Sequence, residues 1–139
     1  SSRRLRQMCI RVSSFQEVQA GSDLAVGPAQ IAAFETQHQV EAHPHGYRIG
    51  LGGVQIAYSG DTGWFDGLPA QIAGAHLFIC ECTLFDHRLD FHLSLEEISE
   101  HRAEMDVGRL ILTHLGSDMA ARRGQVEFET ADDGLLVRL

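Results

Sequence analysis

Asp61 and His114 each follow an apolar segment, Asp61 within Ser59-Gly60-Asp61-Thr62-Gly63 and His114 directly after Leu110-Ile111-Leu112-Thr113. Side chains at strand ends are anchored by a sheet yet reach into a cleft, as a preorganised metal site requires. A carboxylate offers hard oxygens, and neutral imidazole suits zinc, iron or manganese. Each residue alone also has a bland reading. A Gly-Asp-Thr run is commonly a turn closed by an Asx hydrogen bond, and a lone histidine after a strand is commonly structural. The chain has eight histidines in 139 residues, and their placement matters more than their number.

The elements that must position these residues follow from pattern. Residues 15–19, 24–27 and 30–36 read as short strands separated by Gly21-Ser22-Asp23 and Gly27-Pro28. Residues 47–51 and 54–59 flank Gly52-Gly53, a hairpin signal. Val54, Ile56 and Tyr58 alternate with Gln55, Ala57 and Ser59, which predicts one better-buried face. Helical spacing covers residues 64–75, and an apolar strand follows at 77–80. Ser94-Leu95-Glu96-Glu97 has the form of a capping box. Leu95, Ile98, Arg102 and Met105 then lie along one helical stripe that Gly108 ends. Residues 109–113 form a strand, Ser117-Asp118 opens a short helix, and a last strand is expected over residues 135–139. Strands first, then alternating helix and strand, point to an α/β sandwich.

Composition is that of a globular domain, 44% hydrophobic and 22% charged, with no internal repeat or linker. The 139 residues are therefore read as one domain, or part of one. No run approaches the roughly 20 apolar residues that cross a bilayer. Arg3, Arg4, Arg6 and Arg11 read as the solvated face of a short N-terminal helix, with no signal peptide, so a cytoplasmic location is expected. The three cysteines, Cys9, Cys80 and Cys82, are an odd number and argue for reduced, packed thiols. On a strand Cys80 and Cys82 share one face and Glu81 takes the other. A net charge of −8 disfavours nucleic acid.

Four segments resemble the later motifs of metallo-β-lactamase-fold hydrolases, in the branch of tRNA 3′-processing endonucleases and small cyclic phosphodiesterases. They are Thr36-Gln37-His38 leading to Gly46-Tyr47-Arg48-Ile49; Tyr58-Ser59-Gly60-Asp61-Thr62; Ile79-Cys80-Glu81-Cys82-Thr83; and Phe91-His92-Leu93-Ser94 with Leu110-Ile111-Leu112-Thr113-His114. Their order matches, as do the gaps of 20 from Asp61 to Glu81 and 22 from His92 to His114. The resemblance covers roughly residues 30–120. It implies the C-terminal half of an αββα sandwich and a site for two divalent metal ions, zinc first, with manganese or iron as alternatives. His38 and His114 would each bind one metal and Asp61 would bridge them. Glu81 and His92 would form a dyad in which the carboxylate fixes the imidazole's tautomer and His92 protonates a leaving oxygen.

The sequence also departs from that pattern. The family's principal signature, H-x-H-x-D-H, is absent: His43-Pro44-His45 begins like it, but Tyr47 and Arg48 stand where Asp and His are required. His43 and His45 are therefore read as loop residues. The signature lies upstream in the family, so the chain is expected to lack the N-terminal half and to bind metal poorly alone. It should expose an apolar face there, covered by the missing half or by a second copy. His92 is followed by Leu-Ser rather than Ser-Thr, and only the Gly52-Gly53 hairpin stands where tRNA-processing members insert an RNA-binding arm. With the acidic charge, this favours a small phosphodiester as substrate. An RNA endonuclease of the tRNA-processing kind, or a metal-free association module, is the alternative.

Overall fold

The computed structural model describes residues 15–139, so the arginine cluster and Cys9 lie outside the described residues. Seven strands form one sheet in sequence order: β1 (Asp23–Val26), β2 (Ala29–Glu35), β3 (His45–Leu51), β4 (Val54–Tyr58), β5 (Ala75–Glu81), β6 (Val107–Thr113) and β7 (Glu129–Thr130). Strands β1 to β4 are an antiparallel meander, and β4 to β7 pair in parallel. Gly52 and Gly53 join β3 to β4 with φ of 57° and 83°, the doubly positive turn that matches strand twist and that glycine adopts without strain.

Parallel neighbours need crossovers, and three short helices accompany them: α1 (Leu68–Ile72), α2 (Leu95–His101) and α3 (Ser117–Ala121). The capping box of α2 is formed as read. Ser94 Oγ accepts the Glu97 N–H at 3.2 Å, and Glu97 Oε2 accepts the Ser94 N–H at 3.3 Å. Leu95, Ile98 and Met105 are buried as the stripe predicts. Gly108 does not end the helix; the chain tightens into a 3-10 turn at Arg102–Glu104, and Gly108 already belongs to β6. Arg48 donates to the carbonyls of Gln71 and Ala73 at 2.7 and 3.0 Å, satisfying acceptors at the end of α1.

All three helices pack on one face of the sheet, where Phe34, Ala57, Phe78, Cys80, Leu110 and Leu112 meet Leu68, Ile72, Ile98 and Met119. The opposite face is also apolar. One cross-strand row runs Ile31, Ile49, Ile56, Leu77, and a second runs Tyr47, Tyr58, Ile79, Ile111. Leu77 and Ile111 at its centre are buried, Ile31, Ile49, Ile56 and Ile79 are intermediate, and Tyr58 is exposed. The pattern in β4 is thus the reverse of what side-chain size implies: small Ala57 is fully buried under the helices, and bulky Val54, Ile56 and Tyr58 take the more open face.

Two predicted strands do not form. Residues 15–19 find no edge, because β1 and then Gly21 and Ser22 already bond along β2. Residues 135–139 are displaced from β6 by Glu129–Thr130 and by Ala131, whose N–H donates to the Leu112 carbonyl at 2.7 Å; the turn at residues 132–135 then leads the chain away. The helix predicted over residues 64–75 shrinks to α1, since residue 75 already opens β5.

Candidate active site

Strands β2, β4, β5 and β6 run in the same direction, β2 being antiparallel to β3 and β3 to β4. Their C-terminal ends therefore meet at one edge of the sheet, and ligands in α/β sheets bind outside the carboxyl ends of the strands. His38 follows β2, Asp61 follows β4, Glu81 is the last residue of β5, and His114 follows β6. His92 arrives from the loop between β5 and α2, in a turn bridged from Leu89 to His92.

Backbone geometry aims two of these residues. Gly60 has φ of 60°, and a Cβ there would stand 2.5 Å from the His45 carbonyl oxygen, so the turn before Asp61 requires glycine. His114 has φ of 53°, a left-handed conformation that costs a non-glycine residue energy and that concentrates at functional sites. The end of β2 is clamped to the Asp61 loop: Thr36 Oγ1 donates to the Asp61 carbonyl at 3.2 Å, the Gln37 N–H donates to Thr62 Oγ1 at 3.0 Å, and the Gly63 N–H donates to the Gln37 carbonyl at 2.8 Å. Gln37 Nε2 also donates to the Asp90 carbonyl at 2.7 Å, tying in the His92 turn.

Glu81 is the buried hub. Its side chain is 1% exposed, and Oε1 accepts His92 Nδ1–H at 2.7 Å and the Thr62 N–H at 2.9 Å. Oε2 accepts the N–H of Thr83 and Leu93 at 3.1 and 3.2 Å and the Thr83 hydroxyl at 3.0 Å. A carboxylate can enter a protein interior only when its oxygens are satisfied in this way. With Nδ1 committed to Glu81, His92 has Nε2 left for chemistry. Thr83 Oγ1 lies 3.3 Å from both His92 Nδ1 and the His114 carbonyl oxygen, linking the two histidines.

Ligand atoms of His38, Asp61 and His92 all lie within 4.8 Å of one another. His114 Nε2 is 3.6 Å from Asp61 Oδ1, and its ring stacks on that of His92 at 5.7 Å. Two atoms each about 2.0–2.2 Å from one ion are at most about 4.4 Å apart, so the His114–Asp61 pair fits a shared ion. The wider triad fits after small rotations, or across a pair of ions about 3.5–4 Å apart. Two nitrogens and a carboxylate are a zinc-type donor set. The three-residue cluster of ligand atoms thus includes His92, which the sequence reading assigned to the dyad rather than to the metals.

The remaining candidates do not enter. His43 caps a 3-10 turn, and His45, read as a loop residue, opens β3. Cys80 and Cys82 are fully buried on the helix side. Burial, reinforced by the Glu81 charge, raises the Cys80 thiol and pushes Cys82 up to about 12, so neither offers a thiolate near neutrality. Sequence reading passed over Gln37, Thr62 and Thr83 as individual actors; the only signal for the latter two was their place beside Asp61 and Glu81.

Residues 3–115 match the beta-lactamase superfamily domain. The chain belongs to that superfamily. An uncharacterized protein of Mycobacterium leprae is 35% identical over 95 residues, 63% of this chain and 34% of the relative. The chain thus spans about a third of the length of that superfamily relative. Zinc-bound PqqB from Methylobacterium extorquens superposes with a TM-score of 0.74 at 17% identity, over 95% of this chain and 58% of PqqB. A diphosphatase of the PhnP family gives 0.70 at 16%, over 99% and 55%. The short form of human tRNase Z gives 0.63 at 21%, over 83% and 44%. At these identities the likeness is one of fold, and it assigns the mixed sheet and its helices to the metallo-β-lactamase α/β sandwich.

Proposed function

We propose that the chain belongs to a metal-dependent phosphodiesterase acting on a small phosphodiester, with His38, Asp61 and His114 holding two divalent ions, zinc first. The observation that carries this reading is the Glu81–His92 contact at 2.7 Å beside the cluster of ligand atoms. Bound ions would supply Lewis-acid stabilisation of charge on a phosphoryl oxygen. The chain's own residues supply proton transfer and order. Glu81 holds His92 with its proton on Nδ1, so a proton carried at Nε2 is the one available to a leaving alkoxide. Five hydrogen bonds fix Glu81 and so fix the ring it orients. Asp61 and His114, with side chains 41% and 50% exposed, form the open side through which substrate enters. PhnP-family and tRNA-processing relatives of the same fold are consistent with phosphoryl chemistry, and the charge of −8 favours a small substrate over RNA.

The test is hydrolysis of bis(p-nitrophenyl) phosphate by the intact protein with zinc or manganese added. Asp61→Ala should lose metal and activity together. His92→Ala should lower kcat by about 10²–10⁴-fold, the usual worth of a general acid, on a diester that expels an alkoxide. The loss should be much smaller on bis(p-nitrophenyl) phosphate, whose phenolate leaves without a proton, and metal content should be unchanged. Loss of metal in His92→Ala would make His92 a ligand instead. No hydrolysis by the wild type with either metal would overturn the phosphodiesterase reading.

A further inference from the structure

The turn that presents His92 also holds two apolar side chains in solvent, Leu89 at 54% and Phe91 at 44% exposure. Single exposed hydrophobics are ordinary, but this turn is clamped. Leu89 bridges His92, Gln37 Nε2 donates to the Asp90 carbonyl at 2.7 Å, and Gly63 fits so closely beneath that a Cβ there would lie 2.1 Å from the Asp90 oxygen. The Phe91 ring sits 5.8 Å from the His38 ring, tilted at 55°, and His38 is 5.1 Å from His92. A rigidly held aromatic ring therefore borders the candidate metal site with much of its surface free. Rings so placed gain from a second ring stacked on them, and a stacked nucleobase is held without base-specific hydrogen bonds.

We propose that Phe91 is the platform for a planar ring of the substrate, so that the substrate class is a phosphodiester one of whose ester groups carries an aryl ring or a nucleobase. The proposal rests on the phosphodiesterase reading of the same site. The Phe91 and His38 ring centroids are 5.8 Å apart, so a substrate ring stacked on Phe91 would lie beside the candidate metal site that takes the phosphoryl group. Phe91 is then a specificity residue: it selects the ester group and takes no part in proton transfer.

The test titrates two matched diesters, methyl phenyl phosphate and dimethyl phosphate, into the zinc-loaded intact protein, followed by NMR. The wild type should bind the phenyl ester roughly tenfold more tightly. Phe91→Ala should erase that preference and leave dimethyl phosphate affinity and zinc content unchanged, while Phe91→Trp should keep it. A preference that survives Phe91→Ala overturns the proposal. So does an equal loss of both diesters together with zinc, which would make Phe91 only a buttress for His38. Equal binding of both diesters by the wild type overturns the ring platform alone. Binding of neither overturns the phosphodiesterase reading, and the platform with it.

Discussion

In β4 to β6, Ala57, Phe78, Cys80 and Leu112 lie beneath three helices and are fully buried, whereas in β1 to β3 the bulky Leu24, Ile31 and Ile49 remain partly open to solvent. The parallel region supplies Asp61, Glu81 and His114 from strand ends braced by that core. Strands β1 to β3 supply only His38, three residues beyond the end of β2, a strand with a less covered face. Accuracy at a metal site needs rigid support, and the structure compensates where support is weakest. Thr36 and Gln37 clamp the end of β2 to the Asp61 loop and the His92 turn.

The difference has measurable consequences. In this chain Phe78→Ala should cost about 3–5 kcal/mol by urea unfolding, as a fully buried ring leaves a cavity. Ile31→Ala should cost about 1 kcal/mol, because the isoleucine is already partly hydrated. Equal costs would erase the contrast between the regions. A larger cost for Ile31→Ala in the intact protein would sharpen it, showing that the open face is covered there.

Gln37→Ala removes the bond that joins the two regions through Asp90. It should cost about 0.5–1.5 kcal/mol in stability, yet weaken zinc binding by roughly tenfold, since groups that orient ligands matter more to affinity than to folding. Competition against a chromogenic chelator reads the second effect. Unchanged zinc affinity would mean that His38 needs no clamp.

The smallest effect lies within the braced core. Cys82 is held near 12 when folded against an ordinary thiol value of 9.0. Below about 9 both states keep the proton and stability is fully retained. Above that, the unfolded chain ionises first, so stability should fall as pH rises from 9 towards 12. Urea midpoints at pH 8 and pH 10 should differ in that sense for the wild type, and by less for Cys82→Ala. Below pH 8, Cys80 and Cys82 should not react with Ellman's reagent until the chain unfolds.

Local chemistry was legible wherever it depended on neighbours in sequence. The Ser94–Glu97 capping box, the Gly52-Gly53 hairpin and the shared face of Cys80 and Cys82 follow from spacing alone. Edges were not legible. Residues 15–19 and 135–139 have strand-like patterns, but whether a strand forms depends on a free edge, and β2 and β6 were already paired. The buried face of β4 was hidden for the same kind of reason, because helix coverage, not side-chain size, made Ala57 the core residue.

Asp61 and His114 could be picked out from residue type and from their positions at strand ends, since one residue's donor atoms are fixed by its identity. His38, Glu81 and His92 were legible only through the resemblance of their motifs to a known family. The mutual distances of the five were not legible. The 2.7 Å contact of His92 with Glu81, the closeness of His92 to His38 and Asp61, and the 3.6 Å from Asp61 to His114 arise because four co-directional strands end at one edge. Sequence thus determined which groups are available, and tertiary structure decided which of them meet, because separations spanning dozens of residues are set by sheet order and packing rather than by any local rule.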